Sequence, residues 1–300
     1  MELKHNHKIA LIVLNYKGLE NTLQCIESLR RINKPGFNHE IIVVENGSQD
    51  GSAEALSKIK DIQLIESDKN LGFSGGMNLG ISFALNRQAD YVILLNNDTY
   101  VDPNFAANLV KAAKDAQIVC PKIYFAPGFE FHKKRYKKSD LGKVIWYAGG
   151  QIDWQNIIGI HLGVDEIDQG QFKKREISFA TGCCMLISAD VFHKIGMLDE
   201  KYFLYLEDMD LSYRAQKAGF KILFEPSAVI WHKNAASAGG SGSRLQEYYF
   251  TRNRLLFAFR YAKLKTKLAL LRHIIKKSTN PLTRKALTDF LTLQYGQQEF

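Results

Sequence analysis

The 300-residue chain is 46% hydrophobic and 24% charged, enough apolar material for one large α/β domain or two small ones, which excludes disorder for most of its length. Forty Lys and Arg against 31 Asp and Glu leave a formal charge of +9. That suits an anionic partner, whether nucleic acid, membrane headgroups or a phosphorylated small molecule, and charge alone does not choose among them. Much of the excess lies in 132–138, where a solvated face is the simple reading, and in 252–277.

Cys25, Cys120, Cys183 and Cys184 show no C-x-x-C spacing and read as small apolar residues in a reducing compartment. The first eight residues are polar, without the apolar core of a signal peptide, and no run of eighteen apolar residues occurs. A cytoplasmic protein is expected, with at most a peripheral contact on the inner face of the membrane.

In chain order, Ile9–Leu14 is an unbroken apolar run, as in a strand covered on both faces. Leu19, Leu23, Ile26 and Leu29 then place an apolar stripe on a helix over 18–31. The alternation repeats with a strand at 41–44, a short helix at 52–60, a strand at 62–65, a helix at 75–86 and a strand at 91–95. Asp102-Pro103 reads as the capped start of another helix. Such βαβ units predict a mostly parallel sheet with helices on both faces.

From Ile118 the rhythm changes, and 122–171 reads as an irregular insertion with short strands near 143–146 and 159–162. A strand is predicted over 177–187, helices from Ala189 and over 207–218, the latter ended by Gly219, and strands at 220–224 and 228–231. The small-residue stretch 235–243 reads as a mobile loop. The remainder is helical to Leu293, broken at Asn280-Pro281.

Ligands of an open parallel sheet bind beyond the carboxyl ends of its strands. There stand Asn15-Tyr16-Lys17, Glu45-Asn46-Gly47-Ser48-Gln49-Asp50 and Asn96-Asn97-Asp98-Thr99. Each also has a plain reading as a turn or cap, although hard oxygen ligands on the last suit Mg²⁺ or Mn²⁺ bridging a diphosphate. The glycine-rich segment 70–78 precedes a helix and would let a ligand approach the backbone, yet it is neither a P-loop nor G-x-G-x-x-G. His232, at the end of a strand, is structural or a metal ligand.

The segment 199–214 concentrates acids among aromatics where a helix begins. Acids there favour the positive end of the helix dipole, or one of them acts as general base on a sugar hydroxyl. Arg214, six residues after Asp208, falls on the other side of that helix and reads as a structural salt link.

In this order, Ile12–Tyr16, Val43–Ser48, Asn70–Phe73, Leu95–Thr99, Thr181-Gly182, Tyr202–Arg214 and Tyr248–Asn253 resemble the family 2 glycosyltransferases of GT-A fold, particularly bacterial rhamnosyltransferase-like members. The resemblance spans residues 8–260 and implies a Rossmann-like, mostly parallel mixed sheet. It implies a catalytic domain over 1–240, with a nucleotide-sugar half to 118 and an acceptor half after it, and a basic helical region over 241–300. By the same resemblance Asn15, Tyr16, Glu45, Asn46, Asp50, Gly72, Phe73, Gly76, Asn78, Asn96, Asn97, Asp98 and Arg252 surround the nucleotide sugar. Asp98 takes the metal with His232 in support, Asn96 standing where the family has the first acid of its D-x-D. Glu207-Asp208 matches the family's acidic pair, with Asp208 as base.

The implied donor is dTDP-rhamnose or a UDP-sugar, and the implied acceptor a glycan or lipid-diphosphate-linked sugar in cell-surface polysaccharide synthesis. In the tail, apolar positions alternate with Arg and Lys, which fits an anionic membrane, the catalytic domain or a second subunit in a homodimer. A sugar-nucleotidyltransferase would want a glycine-rich basic loop after the first strand, which Asn15-Tyr16-Lys17-Gly18 is not. A non-catalytic binding module has no use for Glu207-Asp208, and no motif supports a nucleic-acid partner.

Overall fold

A computed structural model describes residues 7–132, 134–234 and 242–298. Five strands and the first four helices lie in the amino-terminal half: β1 (His7–Asn15), α1 (Leu19–Arg30), β2 (Phe37–Glu45), α2 (Ser52–Ser57), β3 (Gln63–Glu66), α3 (Gly72–Asn86), β4 (Tyr91–Asn96), β5 (Thr99–Val101) and α4 (Phe105–Ala112). Then follow β6 (Ile118–Phe125), β7 (Ile145–Tyr147), β8 (Gly150–Asp153), β9 (Ile158–His161), β10 (Arg175–Glu176), β11 (Cys184–Ser188), α5 (Ala189–Ile195), α6 (Glu207–Lys217) and β12 (Ile222–His232). Three helices close the chain: α7 (Arg244–Tyr261), α8 (Leu264–Lys277) and α9 (Pro281–Leu291).

The main sheet runs β10-β12-β6-β11-β4-β1-β2-β3. β3, β2, β1 and β4 are parallel neighbours, and β11 enters antiparallel between β4 and β6. This is the mixed, mostly parallel α/β sheet that the sequence predicts. Leu11, Ile12 and Val13 of β1 are fully buried, each contributing about 1.5–3 kcal/mol relative to exposure. That double coverage is why β1 is apolar throughout instead of alternating.

Several boundaries differ from expectation. The start of the third helix lies at Gly72 rather than Gly75, so the glycine-rich segment is helix and not loop. Its first amides are capped by protein: Phe73 and Ser74 donate to the Phe203 carbonyl at 2.7 and 3.2 Å. Asp102-Pro103 stands one turn ahead of α4, with Asp102 accepting from the Asn104 amide at 2.8 Å. The predicted strand over 177–187 is a strand only from Cys184, entered through a turn at Gly182 and Cys183. The two strands at 220–224 and 228–231 are one, β12, irregular between Glu225 and Val229, where Pro226 has no amide to pair.

Within 122–171, β6 extends to Phe125 as a central strand, and β8 pairs antiparallel with β9, a hairpin whose first strand the sequence did not reveal. Much of the small-residue loop at 235–243 lies outside the described residues. The tail has a second break, at Ala262-Lys263, besides Asn280-Pro281.

One apolar core fills both faces of the sheet. A second joins Ile152 and Ile157 of the hairpin to Tyr202, Leu206 and Met209 around α6 and to Leu255, Phe257, Ile274 and Phe290 of the last helices. The carboxyl-terminal helices are therefore packed against the segment that leads into α6.

At Gly72, with φ +72°, an added Cβ would stand 2.4 Å from the Phe203 carbonyl oxygen. Both the left-handed backbone and the contact exclude a side chain. Gly72→Ala is expected to destabilise the fold by about 1–3 kcal/mol, read as a lowered urea midpoint.

Candidate active site

The candidate site lies at the carboxyl ends of β1, β2 and β4. Its floor is a buried polar network. Asn15 donates to Glu45 and accepts from Thr22 Oγ1 at 2.7 Å, Thr22 accepts from Asn97 Nδ2 at 3.0 Å, and Glu45 accepts the Ser48 amide at 2.6 Å. Ser48 Oγ in turn accepts from the Lys17 amide at 2.9 Å. Buried polar groups must be paired, and these pair with one another, joining the ends of three strands to α1. Tyr16 and Asn96 keep partial exposure and Asp50 is exposed; Asp50 accepts from the Ser52 amide at 3.1 Å, opening α2.

Asp98 follows β4 and is 4% exposed, and His232 ends β12 at 5%. His232 Nε2 stands 3.1 Å from Asp98 Oδ1, while its buried Nδ1 has no hydrogen-bond partner among the described residues. The indole of Trp146 packs edge-on against His232, with centroids 4.6 Å apart. An oxygen and a nitrogen at this separation match adjacent corners of an octahedron with bonds of about 2.1 Å. The pair fits as two ligands of a hard divalent cation, and a diphosphate and water could complete the set. No cluster of three or more His, Cys, Asp or Glu side chains suited to a metal occurs among the described residues.

The acidic pair opens α6. Asp208 Oδ2 accepts the Gly182 amide at 2.8 Å and Oδ1 the Met209 amide at 2.8 Å. Burial pushes its carboxyl up from the usual 3.8 to about 6, with those two amides opposing the rise. Glu207 is buried and its Oε2 has no partner among the described residues. Burial, and then the Asp208 charge, hold its carboxyl well above the ordinary range. Adjacent carboxyls of this kind share ionisation, and the Gly182 and Met209 amides favour the charged form of Asp208.

A three-residue turn ties the two centres together. The Cys183 carbonyl accepts the Asn96 amide at 2.9 Å, and the next amide back, Gly182, holds Asp208. A Cβ on Gly182 would stand 3.2 Å from the Phe73 ring and 3.5 Å from Asp208 Cβ. Phe73 thus packs beside the carboxylate.

The backbone leading to Asp208 is strained. Phe203, Tyr205 and Leu206 have φ of 63°, 70° and 70°, each costing about 1–3 kcal/mol for a residue with a side chain. α7 holds them. Asn253 Nδ2 lies 2.8–2.9 Å from the carbonyls of Tyr202, Leu204 and Tyr205. Arg252, fully buried, donates to the carbonyls of Lys201, Tyr202 and Gly296 at 2.9–3.0 Å and lies 4.9 Å over the Tyr249 ring.

The family described as glycosyl transferase family 2 matches residues 10–196. The chain belongs to this family. Among its relatives is a hexosyltransferase of low-salt glycan biosynthesis from Haloferax volcanii, 25% identical over 251 residues, covering 83% of this chain and 74% of that protein. Another is the N-acetylglucosaminyl-diphospho-decaprenol L-rhamnosyltransferase of Mycobacterium tuberculosis, 27% identical over 212 residues, covering 66% of this chain and 68% of that protein. The fold matches that of GalNAc-T7, solved with UDP, GalNAc and Mn²⁺, at a TM-score of 0.61 and 14% identity, covering 96% of this chain and 56% of that one.

In this family 2 glycosyltransferase several residues that the sequence places around the donor are engaged by protein instead. Asn46 holds the 70–72 turn through the Asn70 side chain, the Leu71 amide and the Gly72 carbonyl. Asn78 is bonded to both backbone groups of Leu198 and to Glu200. Gly76 lets α3 approach β1, since a Cβ there would meet Leu14 at 2.5 Å. Asn97 joins the floor network, and Gly72 abuts Phe203. Arg252 is the clearest correction: its guanidinium is turned into carbonyls of the acidic segment, away from any crevice surface. Arg214 makes the expected structural link, 2.6 Å to Asp210.

Sequence reasoning assigned no role to Gly182 or Asn253. Asn253→Leu keeps the branching at Cγ but withdraws the donor from the Tyr202, Leu204 and Tyr205 carbonyls. A loss of about 1–3 kcal/mol is expected, measured by urea denaturation; an unchanged midpoint would mean that the strained turn holds itself.

Proposed function

We propose that this transferase moves a hexose from a nucleoside diphosphate sugar to a hydroxyl of a glycan or lipid-diphosphate-linked acceptor, with inversion, in cell-surface polysaccharide synthesis. The observation that carries the reading is Asp208: an ionisable carboxylate, partly exposed, fixed by two amides and set beside the buried Glu207. A base of this strength is matched to neutral pH. Asp208 takes the proton of the acceptor hydroxyl as that oxygen attacks the anomeric carbon; the bond from that carbon to the diphosphate breaks, and its electron pair leaves with the nucleoside diphosphate. The strained turn and the Gly182 amide hold the base still during this step.

The rhamnosyltransferase relative supports dTDP-rhamnose as first donor to test, with UDP-sugars second. Asp98 and His232 would hold Mg²⁺ or Mn²⁺, which when bound neutralises charge on the leaving diphosphate. Four buried, unbridged cysteines fit a reducing cytoplasm.

Asp208→Asn is expected to lower kcat by about 10²–10⁴-fold in transfer assays with a panel of nucleotide sugars; an unchanged kcat would sink the assignment. The kcat/KM of the parent enzyme should fall as pH drops through about 6, because only the ionised Asp208 accepts a proton. Stability runs the other way. A carboxyl whose folded pKa exceeds its unfolded value costs stability in full above the folded pKa, and the cost fades as pH falls from the folded pKa to the unfolded one. The Asn variant is free of that cost but turns an amide nitrogen toward one of the two backbone amides that Asp208 accepts, so the two effects oppose and its thermal midpoint at pH 8 should stay close to the parent's. His232→Ala should weaken Mn²⁺ binding in calorimetric titrations made with nucleoside diphosphate present, and an identical titration would exclude His232 as a ligand.

A further inference from the structure

α8 contains Lys265, Lys267, Arg272, Lys276 and Lys277 and no acid. Among the described residues, none of the five takes part in an ion pair. Leu270 and Ile274 bury one side of the helix against its neighbours. On another side Leu264, Leu268 and Ile275 are 70%, 42% and 51% exposed. At 100° per residue these three fall within a sector of about 40°, and the cations flank it: Lys265, Arg272 and Lys276 on one edge, Lys267 on the other. Lys267 also lies 6.0 Å over Phe259 of α7, itself 39% exposed, which widens the apolar strip. No helix among the described residues is long and apolar enough to cross a membrane.

We infer that this face of α8 docks on an anionic lipid bilayer, with Leu264, Leu268 and Ile275 in the acyl boundary and the flanking Lys and Arg among the headgroup charges. Isolated exposed leucines need no partner, but a co-linear apolar strip edged on both sides by unpaired cations has the form of an interfacial helix. A second copy of the chain suits it poorly. A two-fold contact sets a surface against itself, so the four flanking cations would face four, with no acid on either helix to pair them. Buried Leu270 and Ile274 keep the helix attached to the protein while the strip inserts, so binding needs no unfolding.

Flotation of the full-length protein tests this. Vesicles of phosphatidylglycerol and phosphatidylcholine in equal parts are expected to carry the protein upward, less so as salt is raised, and vesicles of phosphatidylcholine alone are not. The triple variant Leu264→Ser, Leu268→Ser, Ile275→Ser changes only exposed positions, so its thermal midpoint should match the parent's while its partition onto the anionic vesicles falls at least about tenfold. Absence of flotation with the anionic vesicles, or equal partition of the triple variant, overturns the proposal. So does a lipid-free dimer in analytical ultracentrifugation that the triple variant dissolves, an outcome that would assign the strip to a second copy.

Discussion

The hold of Arg252 and Asn253 on the carbonyls of Lys201, Tyr202, Leu204 and Tyr205 is the contact on which the segment leading into α6 depends. Three residues with left-handed backbone, all bearing large side chains, stand in the four positions before α6. Left-handed conformations at such residues persist only where the surroundings over-determine them. α7 does this from one side and the first amides of α3, bonded to the Phe203 carbonyl, from the other. The same strained turn therefore ties together the nucleotide-side helix, the acidic helix and the carboxyl-terminal helices. Asp208 is where these elements converge.

The polar residues divide into two groups with different physical roles. Asn15, Thr22, Glu45, Ser48 and Asn97 satisfy each other beneath the crevice, so the strand ends are fixed relative to α1 before any ligand arrives. Such preorganisation lowers the ordering cost of binding. Asp98, His232, Glu207 and Asp208 are of another kind. Asp98, His232 and Glu207 are buried where a carboxylate or imidazole is costly, Asp208 beside Glu207 is partly exposed, and the Glu207 oxygen and the His232 nitrogen lack partners among the described residues.

The amino-terminal half and the tail relate to the sheet differently. The first half builds its crevice from strand ends, in the way parallel sheets generally do. The tail contributes through packing: α7 supplies the clamp, and α8 and α9 share its apolar cluster. α8 also leaves outward an apolar strip edged by cations. One three-helix unit thus stabilises the catalytic turn and presents a surface.

Much of the fold was legible in the residues themselves. The unbroken apolar runs at 9–14, 41–44 and 91–95 could only be strands covered on both faces, and the 3.6-residue stripe over 18–31 could only be a helix against them. Gly219 and Asn280-Pro281 marked helix ends because their local backbone preferences act wherever they occur. The acidic pair was visible too, since charge crowded among aromatics has no cheap place in a core. What the sequence left undecided were interactions between distant segments. Gly72 looked like a ligand contact, but it is pinned by Phe203, 131 positions away. Arg252 carried the charge of a phosphate binder, yet burial spends that charge on backbone carbonyls. The positive φ angles at Phe203, Tyr205 and Leu206 had no local signal, because no glycine announced them. Local propensity and periodicity determined which elements form; only tertiary packing decided which polar atoms remain for chemistry, because a hydrogen-bonding group is available only when no other part of the chain reaches it.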